Sequence, residues 1–198
     1  GGSGSSGSGA FALSMWFAMA GLALLFAVCA AHAADIVAGS AQLVASDDGY
    51  SLTADANINF NTRLEEAVNK GVVLYFTVDF ELTRPRWYWL DEEVVTKSLT
   101  YRLSYQSLTR QYRLTSGALH QNFGSLEEAL RTMLRIRNWS VIARGALRIG
   151  RSYNAALRFR LDVAELPKPL QVSALGRKDW SLGSDWYRWT FAAGRDAR

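Results

Sequence analysis

Residues 72–83 read VVLYFTVDFELT, with Val72, Leu74, Phe76, Val78, Phe80 and Leu82 falling on one side and Val73, Tyr75, Thr77, Asp79, Glu81 and Thr83 on the other. Side chains of a β-strand alternate between faces with a period of two, so this stretch is a strand with an apolar face in a core and a partly wet face outside. The same alternation runs outward from it. It appears at 36–45, at 50–60 (Leu52, Ala54, Ala56, Ile58, Phe60), at 99–105 (Leu99, Tyr101, Leu103, Tyr105) and at 153–163, where Tyr153, Ala155, Leu157, Phe159, Leu161 and Val163 oppose Arg158, Arg160 and Asp162. Shorter strands are expected at 111–115, at 141–149 with a break at Gly145, and at 185–191. Asp47-Asp48-Gly49 supplies a hairpin turn between the first two strands, since Gly and Asp tolerate positive φ.

Two helices interrupt the strands. Thr62 and Glu65 form a capping-box pattern ahead of Leu64, Ala67 and Val68, and Gly71 ends the run. Ser125 and Glu128 repeat the pattern ahead of Leu126, Ala129, Leu130, Met133 and Leu134, the spacing of an amphipathic helix. Both carry Leu-Glu-Glu-Ala, which spells a good first helical turn and recurs by chance. Pro167 and Pro169 are expected in an extended connection. A parallel sheet would need a helix at each crossover. The sequence therefore predicts a mainly β (α+β) fold, an antiparallel two-layer β-sandwich with two short helices.

Residues 1–9 are pure Gly/Ser and read as a linker or scar. From Phe11 to Ala31 no residue is charged, and Ala31-His32-Ala33 has the small-x-small form of a signal-peptidase site. Residues 10–33 are thus expected to be a signal peptide, or an N-terminal membrane anchor if uncut, since about 20 apolar residues span a bilayer. Cys29 is set against lipidation by the bulk of Val28. Residues 34–198 form a single β-rich domain without cysteine, placed in the periplasm or on the inner membrane facing it.

Composition narrows function. With one Cys and two His in 198 residues, a disulfide framework or a transition-metal cage has little material. Phosphate-loop, nucleophile-elbow, zinc-protease and EF-hand spacings are all absent. The sequence predicts no catalytic residue, no metal site and no cofactor. His120 reads as a hydrogen-bonded loop or strand histidine, Asp79 and Glu81 as residues of a solvated strand face, and Asp91-Glu92-Glu93 as a charged turn. Charge is polarised along the chain: residues 34–97 carry 5 basic and 11 acidic side chains, residues 98–198 carry 17 and 7. Arg131, Arg135, Arg137, Arg144, Arg148, Arg151, Arg158 and Arg160 either form a basic surface or pair with the acidic half. Export removes nucleic acid as the reason for the basic balance.

The aromatic residues are the more informative signal. Trp87 and Trp89 lie beside Arg84 and Arg86 in RPRWYW, and Trp180, Trp186 and Trp189 gather with Arg188 near the end of the chain. Trp and Arg bury area and satisfy polar groups together, which suits a sugar, a lipid headgroup or a protein partner. The competing reading is that these Trp pack in the core or across strands.

The strings at 75–82 (YFTVDFEL), 84–89 (RPRWYW), 103–105 with 108–112, Phe123 with 126–130 (LEEAL), and 185–189 (DWYRW) resemble the DUF4390 family of exported proteobacterial proteins, a domain of unknown function. The resemblance covers residues 35–192. It brings over no catalytic residue, and it implies an accessory role beside a nitrogen-response membrane sensor kinase, next to which members are often encoded. The leading expectation is a non-enzymatic periplasmic interaction module that contacts an envelope protein through Arg84, Arg86, Trp87, Trp89, Trp180, Trp186, Arg188 and Trp189. The alternative is a binding protein for an anionic glycan or lipid on the same Arg/Trp surface.

Overall fold

The structure, a computed structural model, describes residues 1–2, 35–177 and 180–194. The expected linker beyond Gly2 and the signal or anchor segment lie outside the described residues. Contacts separate residues 1–32 from residues 33–198, and the fold described below is that of the second unit.

Its elements follow the chain as β1 (Asp35–Ser46), β2 (Gly49–Asn59), α1 (Thr62–Asn69), β3 (Leu74–Arg84), β4 (Glu92–Gln106), β5 (Gln111–Ser116), β6 (Leu119–Phe123), α2 (Leu126–Met133), β7 (Arg135–Ala143), β8 (Ser152–Leu161), a 3-10 turn (Val163–Glu165), α3 (Lys168–Ala174) and β9 (Tyr187–Ala192). Among the described residues these strands make two antiparallel sheets, ordered β1-β2-β7 and β6-β5-β4-β3-β8-β9. The chain builds β1 and β2, crosses through α1 into a β3–β6 meander, returns through α2 to β7, then lays β8 beside β3 and β9 beside β8. The result is the expected sandwich-like arrangement.

The alternation at 72–83 is realised in β3. Leu74, Phe76, Val78, Phe80 and Leu82 are buried, and β4 and β8 flank the strand with Leu103 opposite Leu74 and Leu157 opposite Phe80. Each such side chain contributes about 1.5–3 kcal/mol by leaving water. One core cluster joins them to Leu52 and Ala54 of β2, Leu64 and Val68 of α1, and Leu130 and Met133 of α2, and β1 lies against β8 and β9. The β1–β2 turn needs Gly49 for two reasons. Its φ is +134°, and a Cβ there would stand 2.0 Å from the Ile142 carbonyl oxygen.

Five local expectations are corrected. The α1 cap is Asn61, whose Oδ1 accepts from the Leu64 amide at 2.9 Å; Thr62 is already helical. Ser125 caps α2 as expected, accepting from the Glu128 amide at 3.2 Å. A third helix, α3, begins where an extended Pro167–Pro169 connection was expected, because proline's fixed φ and missing N–H suit a first helical turn. Asp91-Glu92-Glu93 is not simply a turn, since Glu92 opens β4 opposite Arg84. β7 lies six residues earlier than expected: register shifts on β2 and a positive φ at Asn138 break its alternation, leaving Ile136, Val141 and Ile142 buried at uneven spacing. β6 forms at 119–123, where no strand was expected, and leaves no alternation in the sequence because it is an edge with almost nothing buried.

Candidate functional site

The eight Arg and Trp residues do not share one surface. The six-stranded sheet sorts them into a protruding tip, an outer face and the core.

The tip is the β3–β4 connection. Pairing of β3 with β4 ends at Arg84 opposite Glu92, and β8 accompanies β3 only as far as Thr83, so the connection runs beyond the sheet with no strand beside it among the described residues. Trp87 is 94% exposed, and Tyr88, Trp89 and Leu90 are exposed after it. Trp87 and Tyr88 meet edge to face at 5.2 Å between ring centroids. This segment is not a strand, so its side chains do not alternate between two sheet faces. At its base the Glu92 carboxylate accepts from both Arg84 and Arg86, the latter at 2.6 Å. The hydrogen bond from Arg86 is the main reason the Glu92 carboxyl sits below its ordinary value. These ion pairs fix the hairpin's neck while leaving its apolar end in water.

On the outer face of the sheet, register places Ser98, Asp79 and Arg158 in one row across β4, β3 and β8. Asp79 Oδ2 accepts from Arg158 Nη2 at 3.0 Å and from Arg160 Nε at 2.9 Å, and Oδ1 accepts from Ser98 Oγ at 2.9 Å. Asp79 is therefore not the solvated residue expected from its position; it is buried beneath two guanidinium groups. Burial raises its pKa, but hydrogen bonds from Arg160, Arg158 and Ser98 outweigh this and hold it below the ordinary carboxyl value. A carboxyl held ionised is no proton donor near neutrality. Trp186 lies over Arg158, with the guanidinium carbon 4.4 Å from the ring centroid, and Arg188 approaches the same ring at 5.9 Å. Each cation is thus positioned by an aromatic face.

The remaining two residues are corrected. Trp180 is 4% exposed and belongs to the core, so it offers no binding surface. Trp189 faces inward from β9, half-buried, with its ring 6.4 Å from Phe80 and 5.7 Å from Tyr187. For Trp189 this follows from location: β9 is paired with β8 over the core, so its inward aromatic residues have packing partners.

The two oppositely charged halves of the chain meet between neighbouring strands. Asp55 of β2 pairs with Arg135 and Arg137 of β7, as Asp79 does with Arg158 and Arg160. Arg144, Arg148 and Arg151, in the β7–β8 loop, are exposed and make no ion pair among the described residues. His120 sits on the exposed edge strand with Nδ1 3.1 Å from Thr115 Oγ1. Among the described residues no three His, Cys, Asp or Glu gather to hold a metal ion.

Fold and geometry together define a β-sandwich-like domain with an unpartnered aromatic hairpin tip and an ordered Arg/Trp face. The chain matches the family described as Domain of unknown function (DUF4390) over residues 33–190 and belongs to it. No curated protein and no solved structure matches it significantly.

Proposed function

We propose that this domain is a non-enzymatic interaction module of the periplasm that docks onto an envelope protein through the β3–β4 tip. The observation that carries this reading is the run of four consecutive exposed large side chains, Trp87 to Leu90, beyond the last paired residues of the hairpin. Trp, Tyr and Arg dominate binding hot spots because they bury large areas at low entropic cost. A convex tip enters a partner's concavity and is no cleft for a small substrate. Charge favours a protein over a bilayer: residues 84–93 hold Arg84 and Arg86 against Asp91, Glu92 and Glu93, a balance that anionic lipid does not attract. The family resemblance makes the extracytoplasmic part of a membrane sensor kinase the first partner to examine.

The test is in-cell chemical crosslinking followed by purification, comparing the unaltered chain with the Trp87→Ala, Trp89→Ala double variant. The variant is expected to fold identically by near-UV circular dichroism and to lose the crosslinked envelope protein. Retention of the same adduct at the same yield would contradict the assignment.

A further inference from the structure

Beside the Asp79 row, the outer face carries a second row in which Ala156 of β8 lies between Glu81 of β3 and Arg188 of β9. Adjacent strands are about 4.8 Å apart, so the flanking backbones stand about 10 Å from each other. A methyl between two long polar side chains makes a hollow. Thr83, Asn154 and Thr190 form the next row, and Asp91, which accepts from Asn154 Nδ2 at 3.5 Å, closes that end. The hollow measures about 380 Å³, within the range of small-molecule sites. Trp186 borders it through Arg188.

The occupancy of these groups is uneven. Asp79 is taken up by Arg158, Arg160 and Ser98. Glu81, in contrast, makes no side-chain hydrogen bond or ion pair among the described residues, and the Arg188 guanidinium reaches only the Trp186 carbonyl at 3.5 Å. An acceptor and a donor thus face one another across an apolar floor without meeting, on rigid strands, with the neighbouring arginine locked by Asp79 and stacked on Trp186. A ligand that satisfies both must donate to the carboxylate, accept from the guanidinium and lay a hydrocarbon face on Ala156. The hydroxyls and C–H face of a pyranose do all three. Two carboxylates, Glu81 and Asp91, against one guanidinium disfavour an anionic ligand.

We propose that this hollow is a binding site for an uncharged saccharide, separate from the hairpin tip. The test is an NMR titration of the full chain with cellobiose, maltose and N,N′-diacetylchitobiose, following the Trp186 indole N–H resonance, with glucose 6-phosphate as an anionic probe. At least one neutral disaccharide is expected to give a saturable shift. Its apparent affinity is expected to fall about tenfold in Arg188→Ala and in Glu81→Gln, roughly the loss of one charge-assisted hydrogen bond, and to be unchanged in Trp87→Ala. Ala156→Leu fills the floor and is expected to abolish the shift; should it fail to fold, the two exposed-face variants carry the test. No saturable shift with any of the three disaccharides, a shift undiminished in Arg188→Ala and Glu81→Gln, or tighter binding of glucose 6-phosphate than of the disaccharides would overturn the proposal.

Discussion

Two segments of this chain have nearly the same composition and opposite fates. RPRWYW at 84–89 and DWYRW at 185–189 both alternate Trp with Tyr and Arg. In the first, Trp87 is 94% exposed and its hairpin stands beyond the sheet; in the second, Trp189 packs on Phe80 and Trp186 is held by two guanidinium groups. The difference is one of neighbours. The second segment leads into β9, which β8 lays over the core, whereas past Arg84 and Glu92 no strand among the described residues lies beside the β3–β4 hairpin. Side chains of equal hydrophobicity therefore stabilise the fold in one place and stay in water in the other.

The contrast predicts which substitutions cost stability. The largest effect is expected for Trp180→Ala, upstream of the second segment: losing a buried Trp costs about 3–5 kcal/mol, measured by urea unfolding. Asp79→Ala comes next, at roughly 1–3 kcal/mol, because it leaves Arg158, beneath Trp186, and Arg160 without their shared carboxylate; the figure is kept low because both arginines are partly solvated. Its pH dependence has a defined sign. A carboxyl with a lowered native pKa stabilises fully above its unfolded value, near 4, and loses that contribution as pH falls through the native value. The stability gap between the unaltered chain and Asp79→Asn is thus expected to close as pH falls from about 5 through the lowered native value, as read by thermal unfolding. A gap that persists to the acid end would mean that Asp79 is not the paired group described.

Smaller still is the effect at the tip. Trp87→Ala with Trp89→Ala is expected to leave unfolding free energy within about 0.5 kcal/mol, as for surface substitutions generally. The smallest effect is expected for Glu92→Gln, which loosens the Arg84 and Arg86 neck while leaving the unfolding midpoint unchanged. A large destabilisation by the tip variants would erase the contrast between the two segments.

Much of the fold is visible in the period-two spacing of β3 and β8, because a strand with one buried face must alternate. Where burial is uneven the signal fails: β7 breaks its period at Asn138, and β6 is an edge with little to bury. The site was legible as residue types and not as positions. Nothing local separates Trp87 from Trp180, since exposure depends on whether a distant strand lies alongside. The burial of Asp79 is invisible in the sequence for the same reason, because its partners Arg158 and Arg160 come from β8, some 80 residues away, and only sheet register brings them together. The Glu81–Ala156–Arg188 row depends on three separate strands and has no sequence signature.

If the tip is the contact element proposed, site-specific photo-crosslinking in intact cells must single it out. A benzophenone amino acid placed at Trp87 is compared with one at Leu108, which is fully exposed in the β4–β5 turn at the other end of β4. A discrete envelope-protein adduct from position 87 and none from position 108 is the predicted result. No adduct from position 87, or the same adducts from both positions, would contradict it.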